Sequence, residues 1–166
     1  LCSADAHYSM HKAADLLGLR RVPVAVTEAE RLVEPAAVKA AVAEAQEQGI
    51  RYFLVVANMM TTMFGSVDRA EAYTEVLLQQ EVPFKLHVDG AYGGFCFPFA
   101  EVAHRLDFSN PHVTSITLDA HKMVQAPYGT GIFLARKNWM KYTCTEEAQY
   151  VQGLDATLSG SRSGAN

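Results

Sequence analysis

Two apolar periods alternate along the 166-residue chain. In YSMHKAADLLGL (8–19), Ala13, Leu16 and Leu17 recur at helical spacing behind Ser9, a candidate N-cap, and Gly18 stands near the end, which predicts a helix. RVPVAV (21–26) predicts a short strand at a sheet edge, because Pro23 cannot donate to a ladder. EPAAVKAAVAEAQEQG (34–49) is the clearest helical stretch, with Pro35 in its first turn and Gly49 as its C-terminal cap. The apolar run RYFLVVA (51–57) follows at once and predicts a strand.

The same alternation continues. RAEAYTEVLLQQ (69–80) predicts a helix, FKLHVD (84–89) a strand, residues 98–106 a short helix, and VTSITLD (113–119) and GTGIFLAR (129–136) two further strands. Strands alternating with helices argue an α/β fold with a mostly parallel sheet flanked by helices. No internal repeat, low-complexity tract or linker divides the chain.

Composition narrows the function classes. Hydrophobic residues are 49% and charged residues 19% of the chain, as in a globular domain, and the net charge of -4 without a basic block argues against nucleic acid as a partner. The longest apolar runs, such as FLVVANMM (53–60), are too short to span a bilayer. Cys2, Cys96 and Cys144 are odd in number and far apart with no CxxC, which fits a reducing cytosol rather than a disulfide framework or zinc site. The chain starts at Leu1 and stops within the turn-rich LSGSRSGAN, so it is expected to be part of a longer protein.

In open α/β sheets ligands bind beyond the carboxyl ends of the strands. Here those ends are polar: Asn58 to Thr62 after one strand, Asp89 after the next, and Asp119 to Lys122 after a third. A lysine at the end of a buried strand must reach water or be held for chemistry, since an unpaired buried ammonium is costly. HVDGAYGG (87–94) adds a strand-end acid followed by residues small enough for a flat ligand to approach the backbone. A strand-end Asp can be a simple cap and Lys122 a surface charge; their combination across one βαβ-sized unit favours a shared site.

The motifs ADAHYSMHKAADLLG, TTMFGSVD, HVDGAYGG, DAHKM and SGSRSG occur in that order. In order and separation they resemble the group II pyridoxal-phosphate-dependent decarboxylases, of the aspartate aminotransferase fold (fold type I), over essentially the whole chain. The resemblance implies that 1–166 is the central part of the cofactor-binding large domain, without the N-terminal segment and the C-terminal small domain. It implies pyridoxal 5'-phosphate held by Lys122 as a Schiff base, with Asp89 at the pyridine nitrogen, His7 stacked on the ring and Ala91 on the opposite face. Lys122, His7 and Asp89 would be catalytic. Thr62, with Thr61 as the alternative, would lie near the phenolic oxygen, and His121 would face the phosphate. Ser159, Ser161 and Arg162 would approach the phosphate of this or the partner subunit.

The implied reaction is decarboxylation of an L-amino acid to its amine by a cytoplasmic homodimer. A Schiff-base lysine needs a pKa lowered by desolvation or positive charge, and an acid at the pyridine nitrogen makes the ring an electron sink. The same groups serve a carbon–carbon lyase acting on phosphorylated amino alcohols or an aminotransferase, and a fragment that only folds, binds or dimerises is the alternative of another class. The substrate stays open among tyrosine, aspartate, glutamate, serine and histidine.

Other residues have plainer readings. His7 and His11 lack the glutamate or third ligand of a metal site. His87 reads as a core or supporting histidine, His104 and His112 as surface residues, Asp68 as a helix N-cap, and Met59, Met60 and Met63 as gap-fillers. Tyr92 and Tyr128 could line the substrate pocket or simply pack. GTG (129–131) is too short a signal for a nucleotide loop. Two departures from the family pattern are Met60, where a glycine usually precedes the threonine pair, and Gly90, where alanine is usual.

Overall fold

A computed structural model describes residues 1–100, 104–144 and 156. Its elements follow the alternation of the sequence: β1 (Cys2–Ser3), α1 (Ser9–Leu16), β2 (Pro23–Val24), α2 (Pro35–Glu47), β3 (Phe53–Asn58), α3 (Ala70–Gln79), β4 (Phe84–Gly90), β5 (Val113–Asp119) and β6 (Gly131–Ala135). Short 3₁₀ turns occupy Phe97–Phe99 and Met140–Tyr142. The first of these stands where a longer helix was expected over 98–106, and residues 101–103 lie outside the described residues.

One six-stranded sheet runs β2-β1-β3-β4-β5-β6. β1 to β5 pair in parallel and β6 returns antiparallel beside β5, so the mostly parallel α/β expectation holds. β2, carrying Pro23, lies at one edge, as its missing donor requires. Alternate residues of the central strands point to opposite faces. Val55 and Ala57 of β3 with Leu86 and Val88 of β4 join Val38, Val42, Tyr73 and Leu77 of α2 and α3 in the main core. The other face carries the row Val56, His87 and Ser115, then the row Asn58, Asp89 and Thr117.

The readings of Ser9, of His104 and His112, and of Met63 need correction. Ser9 is the first helical residue and Tyr8 the cap residue of α1, so Ser9 does not cap it; its hydroxyl is 2.8 Å from Nδ1 of His7. The apolar positions of α1 are not in the core: no residue of this helix is buried, and Leu16 is 81% exposed. His104 and His112 are half-buried against Phe97 and Phe84, and Met63 is exposed rather than filling a gap. Among the described residues no helix is long and apolar enough to cross a membrane.

Asp68 also departs from its expected role as an N-cap, since Arg69 occupies that position at α3. Its buried Oδ2 accepts from Asn58 N–H at 2.8 Å, Asn58 Nδ2 at 2.7 Å and Tyr73 O–H at 3.3 Å. The Asp68 N–H donates in turn to the Asn58 carbonyl at 2.9 Å, closing a clamp on the carboxyl end of β3. Burial drives the Asp68 carboxyl up from 3.8 to about 6, against the opposing pull of these donors. A carboxyl whose folded pKa is raised stabilises fully below the unfolded value and loses that contribution as pH rises through the folded one.

The window is therefore about pH 4 to 6, and the loss by neutral pH is on the order of 3 kcal/mol. Asp68→Asn keeps an acceptor for Asn58 without the ionisation. In denaturant melts of the full-length protein, the stability difference between wild type and Asp68→Asn should move in the variant's favour from pH 4.5 to pH 7.5. A difference independent of pH would refute the assignment.

Candidate active site

The carboxyl ends of β3, β4 and β5 and the loop after β1 enclose a cavity of about 250 Å³. His7, Thr61, Thr62, Asp89, Ala91 and Lys122, all assigned from the sequence, line it. Parallel pairing explains much of the convergence: Asn58 of β3 is in register with Asp89 of β4, and Asp89 with Thr117 of β5. The register places all three at one edge and on one face.

Each group is held by a distinct local device. Asp89 Oδ1 accepts the Ala91 N–H at 3.1 Å, a short-range turn that steadies the carboxylate. The Asp89 carbonyl accepts the Met59 N–H at 2.9 Å, tying the loop after β3 to β4. The loop carrying His7 is fastened by Asp5, whose carboxylate takes Nε and Nη2 of Arg31 at 2.9 and 2.6 Å. The same guanidinium lies 4.6 Å from the ring of Phe64 in the loop after β3. Within its loop, His7 Nδ1 accepts the Ser9 N–H at 3.3 Å, so a neutral ring carries its proton on Nε2.

The two threonines differ. Thr61 is buried with its hydroxyl 2.8 Å from Ser66 Oγ, whereas Thr62 is exposed at the cavity, which favours Thr62 for contact with a ligand. Lys122 Nζ donates to Asp119 Oδ2 at 3.0 Å. Its immediate partner is thus a carboxylate, unlike the desolvated or positively charged surroundings expected for a Schiff-base lysine.

His121 does not line the cavity. Its ring lies 4.9 Å from that of Tyr128, its Nε2 lies 3.8 Å from Asp119 Oδ2, and its buried Nδ1 has no hydrogen-bond partner among the described residues. Tyr128 is 86% exposed and outside the cavity, while Tyr92 lines it. Ser159, Ser161 and Arg162 lie outside the described residues.

Sequence reasoning placed Asn58, Met60 and Asp119 at the strand ends without a role and gave His87 and Thr117 no place in the site, and all five line the cavity. The signal for His87 was its spacing two residues before Asp89, which puts both side chains on one face. Its Nδ1 is 2.8 Å from Ser115 Oγ and its Nε2 is 3.1 Å from Thr117 Oγ1. Burial pushes the His87 imidazole below its usual value, against the charge of Asp89, so a neutral ring donates at one nitrogen and accepts at the other.

Both departures from the family pattern acquire a geometry. Met60 holds φ at +68°, the left-handed region that favours glycine, and its Sδ accepts from Cys96 Sγ at 3.5 Å. A Cβ on Gly90 would sit 2.9 Å from the Thr117 carbonyl oxygen and 3.2 Å from Leu118 Cδ2, tight quarters for the usual alanine.

Comparison with known proteins locates this arrangement. The model of the pyridoxal-dependent decarboxylase conserved domain matches residues 1–160. Tryptophan decarboxylase of Clostridium sporogenes is 50% identical over all 166 residues, which cover 40% of that protein. A probable L-tyrosine/L-aspartate decarboxylase of Methanosarcina mazei is 35% identical over 98% of the chain and 39% of its own length. Among solved structures, a Burkholderia pseudomallei sphingosine-1-phosphate lyase superposes with a TM-score of 0.79 at 27% identity, over 98% of this chain and 37% of that one. The chain thus spans about 40% of the length of the curated relatives it matches.

Packing beside the site is tight at Gly93, whose N–H donates to the Met59 carbonyl at 3.0 Å. A Cβ there would lie 2.3 Å from that oxygen and 2.8 Å from Met60 Cγ. Gly93→Ala should force the loops after β3 and β4 apart, destabilising the protein by about 1–3 kcal/mol in denaturant melts. An unchanged midpoint would show that the two loops are not packed in this way.

Proposed function

The chain belongs to the pyridoxal-dependent decarboxylases, and we propose that the protein converts an L-amino acid to its amine and carbon dioxide, with pyridoxal 5'-phosphate anchored on Lys122. The observation that carries this reading is the meeting of Lys122 and Asp89 in one cavity with His7 and Ala91. As a donor set these groups fit the cofactor: an amine for its aldehyde, a carboxylate for its ring nitrogen, and an imidazole and a methyl group for its faces. Thr62 suits the phenolic oxygen, whereas His121, which does not line the cavity, is assigned to the phosphate side by family likeness alone.

Bound there, pyridoxal phosphate supplies an electron sink for the pair left behind when the α-carboxylate departs as carbon dioxide. Asp89 holds the proton on the ring nitrogen, its carboxylate steadied by the Ala91 N–H. His7, oriented through Ser9, would pack on one face of the ring and restrict its movement. Lys122 would hold the cofactor through Nζ, the amine that lines the cavity.

Decarboxylation is favoured over lyase or transfer chemistry by the 50% identity to a named decarboxylase across the whole chain, against 27% to a lyase structure. The same relative makes aromatic L-amino acids, tryptophan first, the substrates to try. Family likeness extends the proposal to a cytoplasmic homodimer with Ser161 and Arg162 near a phosphate.

Full-length protein supplied with pyridoxal phosphate should release carbon dioxide from an aromatic L-amino acid. Lys122→Ala should abolish the release, and Asp89→Asn should lower kcat by about 10²–10³-fold. Release that survives in Lys122→Ala, or none from any L-amino acid, would refute the proposal.

A further inference from the structure

Lys122 shares its cavity with Asp89, but the carboxylate it pairs with is another one. Asp119, the last residue of β5, faces Gly131 across the antiparallel ladder, and its carbonyl accepts the Lys122 N–H at 3.1 Å. One tight turn therefore fixes both ends of the 3.0 Å contact between Asp119 Oδ2 and Lys122 Nζ. Pairs three residues apart on open surfaces are weak and screened. This pair lines the cavity, and its side chains are only 18% and 32% exposed. The same carboxylate oxygen lies 3.8 Å from His121 Nε2, so the carboxylate stands between the two cationic candidates of the turn.

Resting on the reading of Lys122 as cofactor anchor, we propose that Asp119 is the positioning residue of that lysine, seating its free ammonium on the cavity wall whenever the amine is not bonded to the cofactor. Two consequences of opposite sign follow. An ammonium has no lone pair, so in first loading it must give up one proton before its nitrogen bonds to the aldehyde carbon and the aldehyde oxygen leaves as water. The Asp119 contact ties that nitrogen to the cavity wall and slows this capture.

During turnover the substrate nitrogen takes the lysine's place, and the protons it loses pass to the released amine. Asp119 then keeps that amine within reach of the carbon it must rejoin, which speeds the return. Among the described residues the other titratable groups around this amine are Asp89, His87, His7 and Tyr92 in the cavity and His121 on the turn, and none of them is in contact distance of Nζ.

The test uses full-length wild type, Asp119→Asn and Asp119→Glu. Loading with pyridoxal 5'-phosphate at pH 7 is followed by stopped-flow absorbance, and turnover is followed as carbon dioxide release from the best aromatic L-amino acid. Asp119→Asn should load faster than wild type yet lose on the order of tenfold in kcat at nearly unchanged KM. Asp119→Glu should recover part of that kcat. General damage to the site would slow both processes, so loading that is slower or unchanged in Asp119→Asn overturns the inference even if kcat falls. A wild type that forms no borohydride-sensitive chromophore overturns the anchor reading itself, and this inference with it.

Discussion

Asn58, Asp89 and Thr117 stand in one row because β3, β4 and β5 hydrogen-bond in parallel at that register, and the rest of the site depends on this row. Parallel strands end at the same edge, so three loops leave the sheet together and bring Thr62, Ala91 and Lys122 to one cavity. A one-residue slip of any strand would send its polar groups into the core face held by Val55, Val88 and Ile116. The apolar face thus fixes the register, and the register fixes the chemistry.

Polar groups at a half-covered sheet edge need partners, and the structure supplies them by local clamps. Asp68 grips the end of β3 through Asn58, and Ser115 and Thr117 flank His87. Arg31 joins the loops after β1 and β3 by pairing with Asp5 and lying over Phe64. Among the described residues these contacts leave the reactive candidates, Asp89 and Lys122, with few protein partners: one N–H for the acid's Oδ1 and one carboxylate for the amine. A ligand can then compete for them.

Much of this was legible in the sequence because the elements are strongly periodic. Pro35 and Gly49 bracket α2 closely, and the apolar run Phe53 to Ala57 marks the strand β3. Strand-end polarity led to Asp89 and Lys122, since a parallel sheet exposes its carboxyl ends together. What escaped was tertiary. Asp68 has the residue type and position of a helix cap, and only the neighbouring β3 end turns it into a buried clamp. His87 and Thr117 look like ordinary strand residues until β4 and β5 are in register. Asp119 reads as a strand-end polar group, and its role depends on how the turn to Lys122 folds back. Leu16 and Leu17 mark a helix correctly but not its burial, because amphipathicity says which face is apolar and not what covers it.

The central claim is that Lys122 is the residue that takes the cofactor, and covalent trapping tests it most directly. Full-length protein incubated with pyridoxal phosphate is reduced with borohydride, digested and mapped by mass spectrometry. The account predicts a pyridoxyl-phosphate adduct on the peptide containing Lys122, at that residue. An adduct confined to other lysines, or a Lys122 peptide that remains unmodified at saturating cofactor, would contradict it.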